Sequence, residues 1–467
     1  MLMVSMKSIE SYIKEKYKYM EVKNNVKGTR DILPNETGGF SRIESLLKAV
    51  ANLYNYHELR TPTLEYSEVF SRGVGESSDI VRKEMYTFLD KAERSVTMRP
   101  EFTAGIVRSV VQNKLYATNE LPLKLFYCGP AYRYERPQLG RYRQFTQFGV
   151  ESIGHNSVFN DVEVIIMAHT MLTTLGLNNV RVKINCLGDK ESRDAYRSAL
   201  KAYFEPHINN MCEDCKQRYE INPLRILDCK VPEDHELAKG APSIADYLTD
   251  NSLKRFKMLL EALMDSEIPY VIDDQLVRGL DYYSEVVFEF DYTSSKGVNY
   301  GALGGGGHYG NLVKELGGPD LPGVGFSFGI ERLYEVMKDD GLIKDEVEPL
   351  DVYVMPLGEE VSYYCLTLAN ELRLNGFATD MCFDNVKLGN MFKRATKKNA
   401  RFAIIVGENE IKNNKVVVKN LSLQTQEEVE TSKVSDYLYN QLNADDILDE
   451  GPTCKCGGEC CEGDECK

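Results

Sequence analysis

A basic, aromatic stretch at residues 126–154 carries many of the side chains that could do chemistry. Pro137 and Gly140 interrupt it, and the β-favouring residues on either side predict two strands, at 126–134 and 143–153. Four arginines lie near this turn: Arg133, Arg136, Arg141 and Arg143. Crowded guanidiniums repel one another and suit bidentate binding of phosphate, so the stretch predicts a polyanionic ligand. A charged hairpin with solvated arginines is the alternative.

Two acids and an amide could share a pocket with these arginines. Gln147 and Glu151 are four residues apart on the second predicted strand, so their side chains point to the same face. Glu101 follows Pro100 at a predicted helix start, where an acid can also simply stabilise the helix dipole. Such a pocket would suit a ligand that carries both an amine and a phosphate.

Three later stretches add further polar chemistry. Arg278 precedes two tyrosines, Tyr282 and Tyr283, whose phenols can hydrogen-bond a polar ring or form a buried core pair. Residues 301–310 contain six glycines, which indicate either close approach of the backbone to a ligand or a flexible loop. Arg332 lies in the first turn of a predicted helix, where a cation opposes the helix dipole and indicates a nearby anion.

Three cysteines have the spacing of metal ligands. Cys212 and Cys215 form a Cys-x-x-Cys pair, Cys229 follows, and His207 or His235 could complete a tetrahedron. These residues predict a possible structural zinc ion. Reduced, unbound thiols are the alternative, since no second Cys-x-x-Cys accompanies the first.

Periodic patterns place these residues on strands and helices. Apolar residues recur every three or four positions from 40 to 53 and predict a helix with one buried face. The mostly helical pattern at 189–270 predicts a helical insertion, and the alternation of strands and helices after residue 349 predicts a small C-terminal α/β domain. The predicted segments are an N-terminal extension (1–25), the main domain (26–188 and 271–345), the insertion (189–270), the C-terminal domain (350–442) and an acidic, Cys-rich tail (443–467).

Composition limits the classes of partner. The 467-residue chain has a formal net charge of −15, which argues against non-specific coating of nucleic acid but allows local basic sites. No run of about 18 apolar residues and no secretory signal are seen. We therefore expect a cytoplasmic protein with free thiols and no membrane contact.

Together these stretches resemble the motifs of the histidyl-tRNA synthetase family, which belongs to the class II aminoacyl-tRNA synthetases. Arg60-Thr61-Pro62 with its preceding helix resembles motif 1, residues 126–154 resemble motif 2, and residues 323–333 resemble motif 3. Residues 276–283 and 303–312 resemble the two histidine-specific signatures. The resemblance implies an α+β catalytic domain with an antiparallel sheet flanked by helices, followed by an α/β anticodon-binding domain. It also implies ATP-dependent ligation of L-histidine to tRNA(His) through a histidyl-adenylate, with Mg²⁺, in a homodimer.

The resemblance also implies roles for individual residues. Arg133, Arg278 and Arg332 would be the catalytic arginines, with Arg133 on the α-phosphate of ATP and Arg332 on the γ-phosphate. Glu101, Thr103 and Gln147 would bind the α-amino group. The imidazole nitrogens would be read by Glu151 and Tyr283, with Tyr282 lining the pocket.

Two basic regions would contact the tRNA. Arg136, Gln138 and Arg141 would meet its acceptor end. The C-terminal domain would bind the anticodon through Lys393, Arg394 and Lys397, although these cations also fit a solvated helix face.

Three positions depart from the family pattern. Phe102 stands where the family commonly has glycine, and His308 and Gly310 stand where it has arginine and aspartate. A non-catalytic relative, either a regulatory subunit of ATP phosphoribosyltransferase or an uncharged-tRNA sensor, is the alternative to an enzyme.

Overall fold

The computed structural model describes residues 24–449, except 76–77, 119 and 348, with side chains described up to residue 442. The predicted extension before residue 24 and the Cys-rich tail after residue 449 lie outside this range. The described residues up to Asp345 form one compact unit, and those from Glu346 form another. The finer domain boundaries stay predictions.

The first unit contains a large sheet and a small one. Its described strands are β1 (His57–Glu58), β2 (Leu64–Tyr66), β3 (Tyr86–Leu89), β4 (Ser95–Met98), β5 (Leu123–Tyr132), β6 (Gln144–Ile153), β7 (Val180–Cys186), β8 (Tyr270–Ile272), β9 (Tyr283–Thr293), β10 (Asn299–Tyr309) and β11 (Gly323–Gly329). Eight of them form a sheet in the order β1-β5-β6-β11-β10-β9-β7-β8, and β2-β4-β3 form the other. The six central strands of the large sheet are antiparallel, as predicted, whereas β1 and β8 add parallel edges.

Helices pack against the large sheet and lie between several of its strands along the chain. Those described in the first unit are α1 (Pro34–Leu53), α2 (Ser67–Gly73), α3 (Thr103–Gln112), α4 (Val158–Thr174), α5 (Lys190–Phe204), α6 (Glu213–Ile221), α7 (Pro232–Lys239), α8 (Asp250–Asp265), α9 (Leu312–Glu315) and α10 (Ile330–Asp339). Pro34 opens α1, and the Glu36 carboxylate accepts a hydrogen bond from the Leu33 backbone N–H at 3.1 Å, which caps the helix. The apolar face of α1 packs into the main core.

Strand β6 shows how the sheet separates core from site. Phe148 and Val150 are fully buried in the core beneath α1, α4 and α10. The alternate residues Gln147 and Glu151 point to the opposite face, as the period of a strand requires. One strand therefore stabilises the fold with one set of residues and supplies polar groups with the other.

The glycine-rich stretch is not a loop. It forms most of β10, a central strand that pairs with β9 and β11 along its length. Opposite Gly305, β9 carries Glu289, and a Cβ at Gly305 would lie 2.4 Å from the Phe288 carbonyl oxygen and 3.0 Å from an Arg278 nitrogen. Glycine therefore allows the neighbouring strand and the Arg278 side chain to approach the backbone.

The second unit is a small α/β domain. Its described strands are β12 (Val352–Pro356), β13 (Thr379–Met381), β14 (Phe402–Val406), β15 (Lys415–Asn420) and β16 (Gln426–Glu430), in the order β13-β12-β14-β15-β16. The helices are α11 (Ser362–Leu374), α12 (Leu388–Lys397), α13 (Glu408–Lys412) and α14 (Val434–Asp449). Strand β16 was not predicted, because its mostly exposed acidic residues give no strand pattern. No helix among residues 24–449, as described, is long and apolar enough to span a membrane.

Candidate active site

Two adjoining cavities lie on the polar face of the large sheet. The inner cavity has a volume of about 50 Å³ and the outer cavity about 260 Å³. Both are lined by Arg133, Gln147, Arg278 and Ser327, so these side chains stand where the two cavities meet. A ligand bound in one cavity would reach the other past these four groups.

The inner cavity brings together all eight residues predicted to contact substrate. They come from the start of α3, strands β5 to β6, and the segment before β9, and they are Glu101, Thr103, Arg133, Gln147, Glu151, Arg278, Tyr282 and Tyr283. Residues up to 182 positions apart in sequence therefore form one lining.

Glu151 is the most enclosed acid of the inner cavity. Its side chain accepts hydrogen bonds from the Thr103 hydroxyl at 2.7 Å and from the Tyr309 hydroxyl at 2.8 Å. Burial raises the pKa of this carboxyl to about 8, and the charge of Glu101 acts in the same direction. Gly325 lies opposite Glu151 in the sheet, where a Cβ would stand 2.2 Å from the carboxylate. The glycine therefore makes room for the acid.

Glu101 has a structural role as well as a place in the cavity. Its carboxylate accepts hydrogen bonds from the backbone N–H groups of Thr103 at 2.7 Å and Ala104 at 2.9 Å, at the start of α3. The group is 2% exposed, and burial raises its pKa. Glu101 thus stabilises the helix N-terminus, as the structural alternative predicted, while it also lines the inner cavity.

Gln147 offers an unused acceptor to the inner cavity. Its amide nitrogen donates a hydrogen bond to the Ser327 hydroxyl at 2.6 Å. Its carbonyl oxygen is buried and has no hydrogen-bond partner among the described residues. A buried acceptor without a donor is costly, so a ligand N–H is the natural partner for this oxygen.

The outer cavity is rich in guanidinium groups. Four arginines line it, with two acids among them: Arg133, Arg141, Arg278, Arg332, Glu135 and Glu289. Arg278 forms an ion pair with Glu289, and Arg141 lies 3.8 Å from Glu135.

Two of these arginines are held by backbone carbonyls rather than by acids. Arg133 donates to the Pro100 carbonyl at 2.8 Å and Arg332 to the Ala302 carbonyl at 2.6 Å. Burial lowers the pKa of Arg332, and the nearby charge of Arg141 lowers it further. Neither Arg133 nor Arg332 forms an ion pair with any described residue, so both charges are open to an anionic ligand.

The structure separates the three residues predicted to meet the acceptor end of the tRNA. Arg141 lines the outer cavity beside Arg332, whereas Arg136 and Gln138 are exposed and line neither cavity. The backbone of Gln138 pairs with that of Arg141 at 3.1 and 2.9 Å, which closes a tight turn and directs Arg141 back toward the sheet. The sequence predicts a turn at Pro137 and Gly140, but not the direction in which the turn places Arg141.

The lining residues absent from the predicted site include Tyr309, Ser327 and Glu289. Tyr309 hydrogen-bonds Glu151, Ser327 hydrogen-bonds Gln147, and Glu289 pairs with Arg278. Strand parity could have found Ser327, which is two residues from Gly325 and shares its face. The place of Glu289 in the lining depends on the pairing of β9 with β10, and no local sequence pattern specifies that pairing.

The departures at 102 and 308 have defined environments. The Phe102 ring stacks on Tyr127 with centroids 4.5 Å apart, and the Arg99 guanidinium lies 3.9 Å from its centroid. His308 is buried and its Nδ1 lies 2.9 Å from Asp161, which also pairs with Arg255 at 2.7 Å. These residues therefore support the walls of the site from outside the cavities.

The predicted metal ligands also come together. Cys212, Cys215 and Cys229 cluster in the insertion, but the fourth donor within reach is Asp234 rather than His207 or His235. His235 follows Asp234 on α7 and is rotated by about 100° around the helix, away from the cysteines. His207 instead lies beside the Tyr203 ring, at a centroid distance of 6.4 Å.

The second unit carries the residues predicted to bind the anticodon. Lys393 and Lys397 are exposed on α12. Arg394 pairs with Asp384 at 2.7 Å, an acid outside the basic segment, so it is less available than the two lysines.

Comparisons with known proteins agree with this geometry. The sequence model of the histidyl-tRNA synthetase family matches residues 28–333, and that of an anticodon binding domain matches residues 351–441. A histidine–tRNA ligase of Geobacillus sp. (strain WCH70) is 46% identical over 420 residues, covering 89% of this chain and 99% of the relative. That of Bacillus subtilis (strain 168) is 46% identical over 412 residues, covering 88% and 96%.

A solved structure is similar as well. The apo histidyl-tRNA synthetase of S. aureus has a TM-score of 0.77 and 36% identity, covering 89% of this chain and all of that one. The predicted fold is thereby confirmed: an α+β catalytic domain with a sheet flanked by helices, followed by an α/β domain of the anticodon-binding type. The chain belongs to the histidyl-tRNA synthetase family of class II aminoacyl-tRNA synthetases.

Proposed function

We propose that this chain ligates L-histidine to tRNA(His), using ATP to form a histidyl-adenylate first. The observation that carries the proposal is the junction of an enclosed polar cavity with an arginine-lined one, at Arg133, Gln147 and Arg278. An amino acid in the inner cavity would present its carboxylate at that junction, beside the phosphates of a nucleotide in the outer cavity.

The inner cavity suits histidine because its polar groups are fixed and face one another. Glu151 and Tyr283 would hydrogen-bond the two ring nitrogens, with Tyr282 packed against Tyr283 at a centroid distance of 4.6 Å. An isostere that lacks one nitrogen would leave one of these buried groups unpaired. The free Gln147 oxygen and the Glu101 carboxylate would bind the α-ammonium group.

The outer cavity suits the triphosphate. A histidine carboxylate oxygen would attack the α-phosphorus in line, forming a new P–O bond as the bond to pyrophosphate breaks. Arg133, Arg278 and Arg332 would stabilise the charge that spreads over the phosphates, so positioning and electrostatics carry the acceleration without a covalent enzyme intermediate. The place of Arg141 in the same lining supports contact with the nucleotide rather than with the tRNA.

The cavity also has ligands of the kind that Mg²⁺ prefers. Glu135 and Glu289 offer carboxylate oxygens in the outer lining and would hold the ion or its waters. When bound, Mg²⁺ would neutralise part of the phosphate charge.

The tRNA would approach from the exposed side of the site. Arg136 and Gln138 stay candidates for its acceptor end, and Lys393 and Lys397 for its anticodon. The terminal ribose hydroxyl would then attack the histidyl carbonyl and release AMP. The homodimer and the cytoplasmic location predicted from the sequence stay predictions.

A non-catalytic regulatory subunit is the weaker alternative. A solved structure of an ATP phosphoribosyltransferase regulatory subunit/histidyl-tRNA synthetase from Bacillus halodurans C has a TM-score of 0.58 and 25% identity, covering 82% of this chain and 98% of that one. The complete polar lining of both cavities favours the enzyme.

Histidine-dependent exchange of labelled pyrophosphate into ATP tests the first step directly. We expect exchange with L-histidine and none with other amino acids, followed by histidylation of tRNA(His) when the tRNA is added. A folded protein that catalyses no exchange would exclude the enzymatic function.

A further inference from the structure

We propose that Cys212, Cys215, Cys229 and Asp234 bind one divalent cation that prefers thiolate ligands, such as zinc. The three sulfurs and one carboxylate oxygen lie within 4.8 Å of one another. All but Cys212 are buried. Three thiolates and one carboxylate are a donor set that binds zinc and disfavours the harder magnesium and calcium ions.

Two of the six distances between the donors match the edges of a tetrahedron around zinc. The sulfurs of Cys212 and Cys229 are 3.9 Å apart, and the Cys229 sulfur is 3.6 Å from the Asp234 oxygen. Bonds of about 2.3 Å to sulfur and about 2.1 Å to oxygen give tetrahedral edges of roughly 3.8 and 3.6 Å. A disulfide would instead need the sulfurs at about 2.05 Å. These two distances therefore fit donors that share an ion rather than donors that are bonded to each other.

The cluster joins three short segments of the insertion. Cys212 precedes α6 and Cys215 lies in its first turn, while Cys229 follows a short 3₁₀ helix, Pro223–Asp228. Asp234 lies near the start of α7, and its carboxylate also accepts a hydrogen bond from the Cys212 backbone at 3.0 Å. A cation bound by all four would fix these segments to one another, as structural zinc does in small modules.

The segment between Cys215 and Cys229 touches the loop that carries the histidine-pocket tyrosines. Arg225 donates to the Gly279 carbonyl at 3.0 Å, and Asn222 donates to the Asp281 carboxylate at 3.0 Å. Arg225 and Asn222 are thus positioning residues, and the cation would hold them in place. This second step rests on the proposed function, whereas the binding of the cation does not.

Metal content tests the site itself. The full chain would be purified without chelator under reducing conditions, with serine replacing five tail cysteines that could also bind metal: Cys454, Cys456, Cys460, Cys461 and Cys466. We expect one equivalent of zinc by mass spectrometry, lost in Cys229→Ser and retained in Cys365→Ala, which alters a buried cysteine of the second unit. A chain that holds no zinc after reconstitution, or equal zinc in both variants, would overturn the proposal.

A spectroscopic test covers the case in which Cys229→Ser does not fold. Cobalt(II) in the same chain should give the intense visible bands of a tetrahedral ion and an ultraviolet thiolate-to-metal charge-transfer band. In Asp234→Asn we expect the charge-transfer band to persist while the visible bands shift and zinc affinity falls. Weak octahedral bands without charge transfer would overturn the proposal, because they exclude thiolate ligation.

Removal of the ion tests its link to the pocket. We expect a chelator that strips the zinc to raise KM for histidine in the exchange reaction more than KM for ATP, with recovery on adding zinc. Equal activity of the metal-free and zinc-loaded chains would overturn the positioning step only. Absence of exchange in both would contradict the proposed function and leave the metal measurements standing.

Discussion

The two adjoining cavities differ in how their polar side chains are held in place. In the inner cavity, polar groups are buried and fixed by one another, as Glu151 is by Thr103 and Tyr309. In the outer cavity, Arg133 and Arg332 are anchored through backbone carbonyls and form no ion pair with the residues that the structure describes. In the proposed function, the first arrangement would distinguish a neutral ring by the direction of its hydrogen bonds, and the second would bind a polyanion by charge.

This difference predicts that the inner cavity determines selectivity for the amino acid and that the outer cavity determines the rate of the reaction. A site of directional, enclosed hydrogen bonds discriminates strongly, because a wrong ligand leaves a buried group unpaired. A site of fixed cations stabilises charge that develops in the transition state, and it tolerates variation in ligand shape. Substitutions in the inner cavity should therefore act on histidine, and those in the outer cavity on the nucleotide.

Arg278 belongs to both cavities, so its removal should have the largest effect. Arg278→Ala removes a cation at the junction and is expected to lower the exchange rate by about 10³-fold. It also leaves Glu289, its ion-pair partner, without a counter-charge. Pyrophosphate exchange at saturating histidine and ATP measures the loss.

A double variant separates the two causes. Arg278→Ala with Glu289→Ala should remain inactive if the missing cation at the junction is the cause. Recovery of exchange in the double variant would show that the stranded Glu289 charge, rather than the lost arginine, explains the single variant.

Glu151→Gln should weaken the binding of histidine without weakening that of ATP. The amide cannot accept hydrogen bonds on both arms, so we expect a loss of about 2 kcal/mol, seen as a roughly thirtyfold higher KM for histidine. KM for ATP should stay unchanged. Glu331→Gln is the matched control, because Glu331 is a buried acid that accepts from the Thr146 backbone and lines neither cavity. A parallel rise in both Michaelis constants of Glu151→Gln would contradict the division between the cavities.

The sequence could predict those parts of the site that are formed by residues close to one another along the chain. Gln147 and Glu151 share a face of one strand, so strand period alone placed them together. Their meeting with Arg278 and Tyr283 was predicted only from the resemblance to the family. The Asp161–His308 pair spans 147 positions and could not be read from either partner. The position of Arg141 depended on the geometry of a turn, and that of Asp234 on the phase of a helix, which rotates a side chain by about 100° for each residue.

Two arginines near the turn at the outer cavity, Arg141 and Arg136, allow a direct comparison of two variants. Arg141→Ala should weaken ATP binding by about 1 kcal/mol, a roughly fivefold higher KM for ATP, because this arginine is partly exposed and screened. Arg136→Ala, five residues earlier, should leave exchange unchanged. If Arg136→Ala instead raises KM for ATP and Arg141→Ala does not, the two arginines have exchanged roles.

A pH dependence of stability should distinguish the inner cavity from the outer one. Burial raises the pKa of Glu151 from 4.5 to about 8, so the folded protein keeps a proton that the unfolded chain releases. The stability contributed by this carboxyl is therefore fully present below about pH 4.5 and is lost as the pH rises to about 8. Glu151→Gln has no such proton, so its Tm should rise relative to that of the unsubstituted chain between pH 5 and pH 8. Arg332→Gln is the control for the outer cavity: a guanidinium stays charged throughout this range, so its Tm difference should stay flat. Parallel melting curves for all three proteins would show that the two cavities do not differ in their coupling to protons.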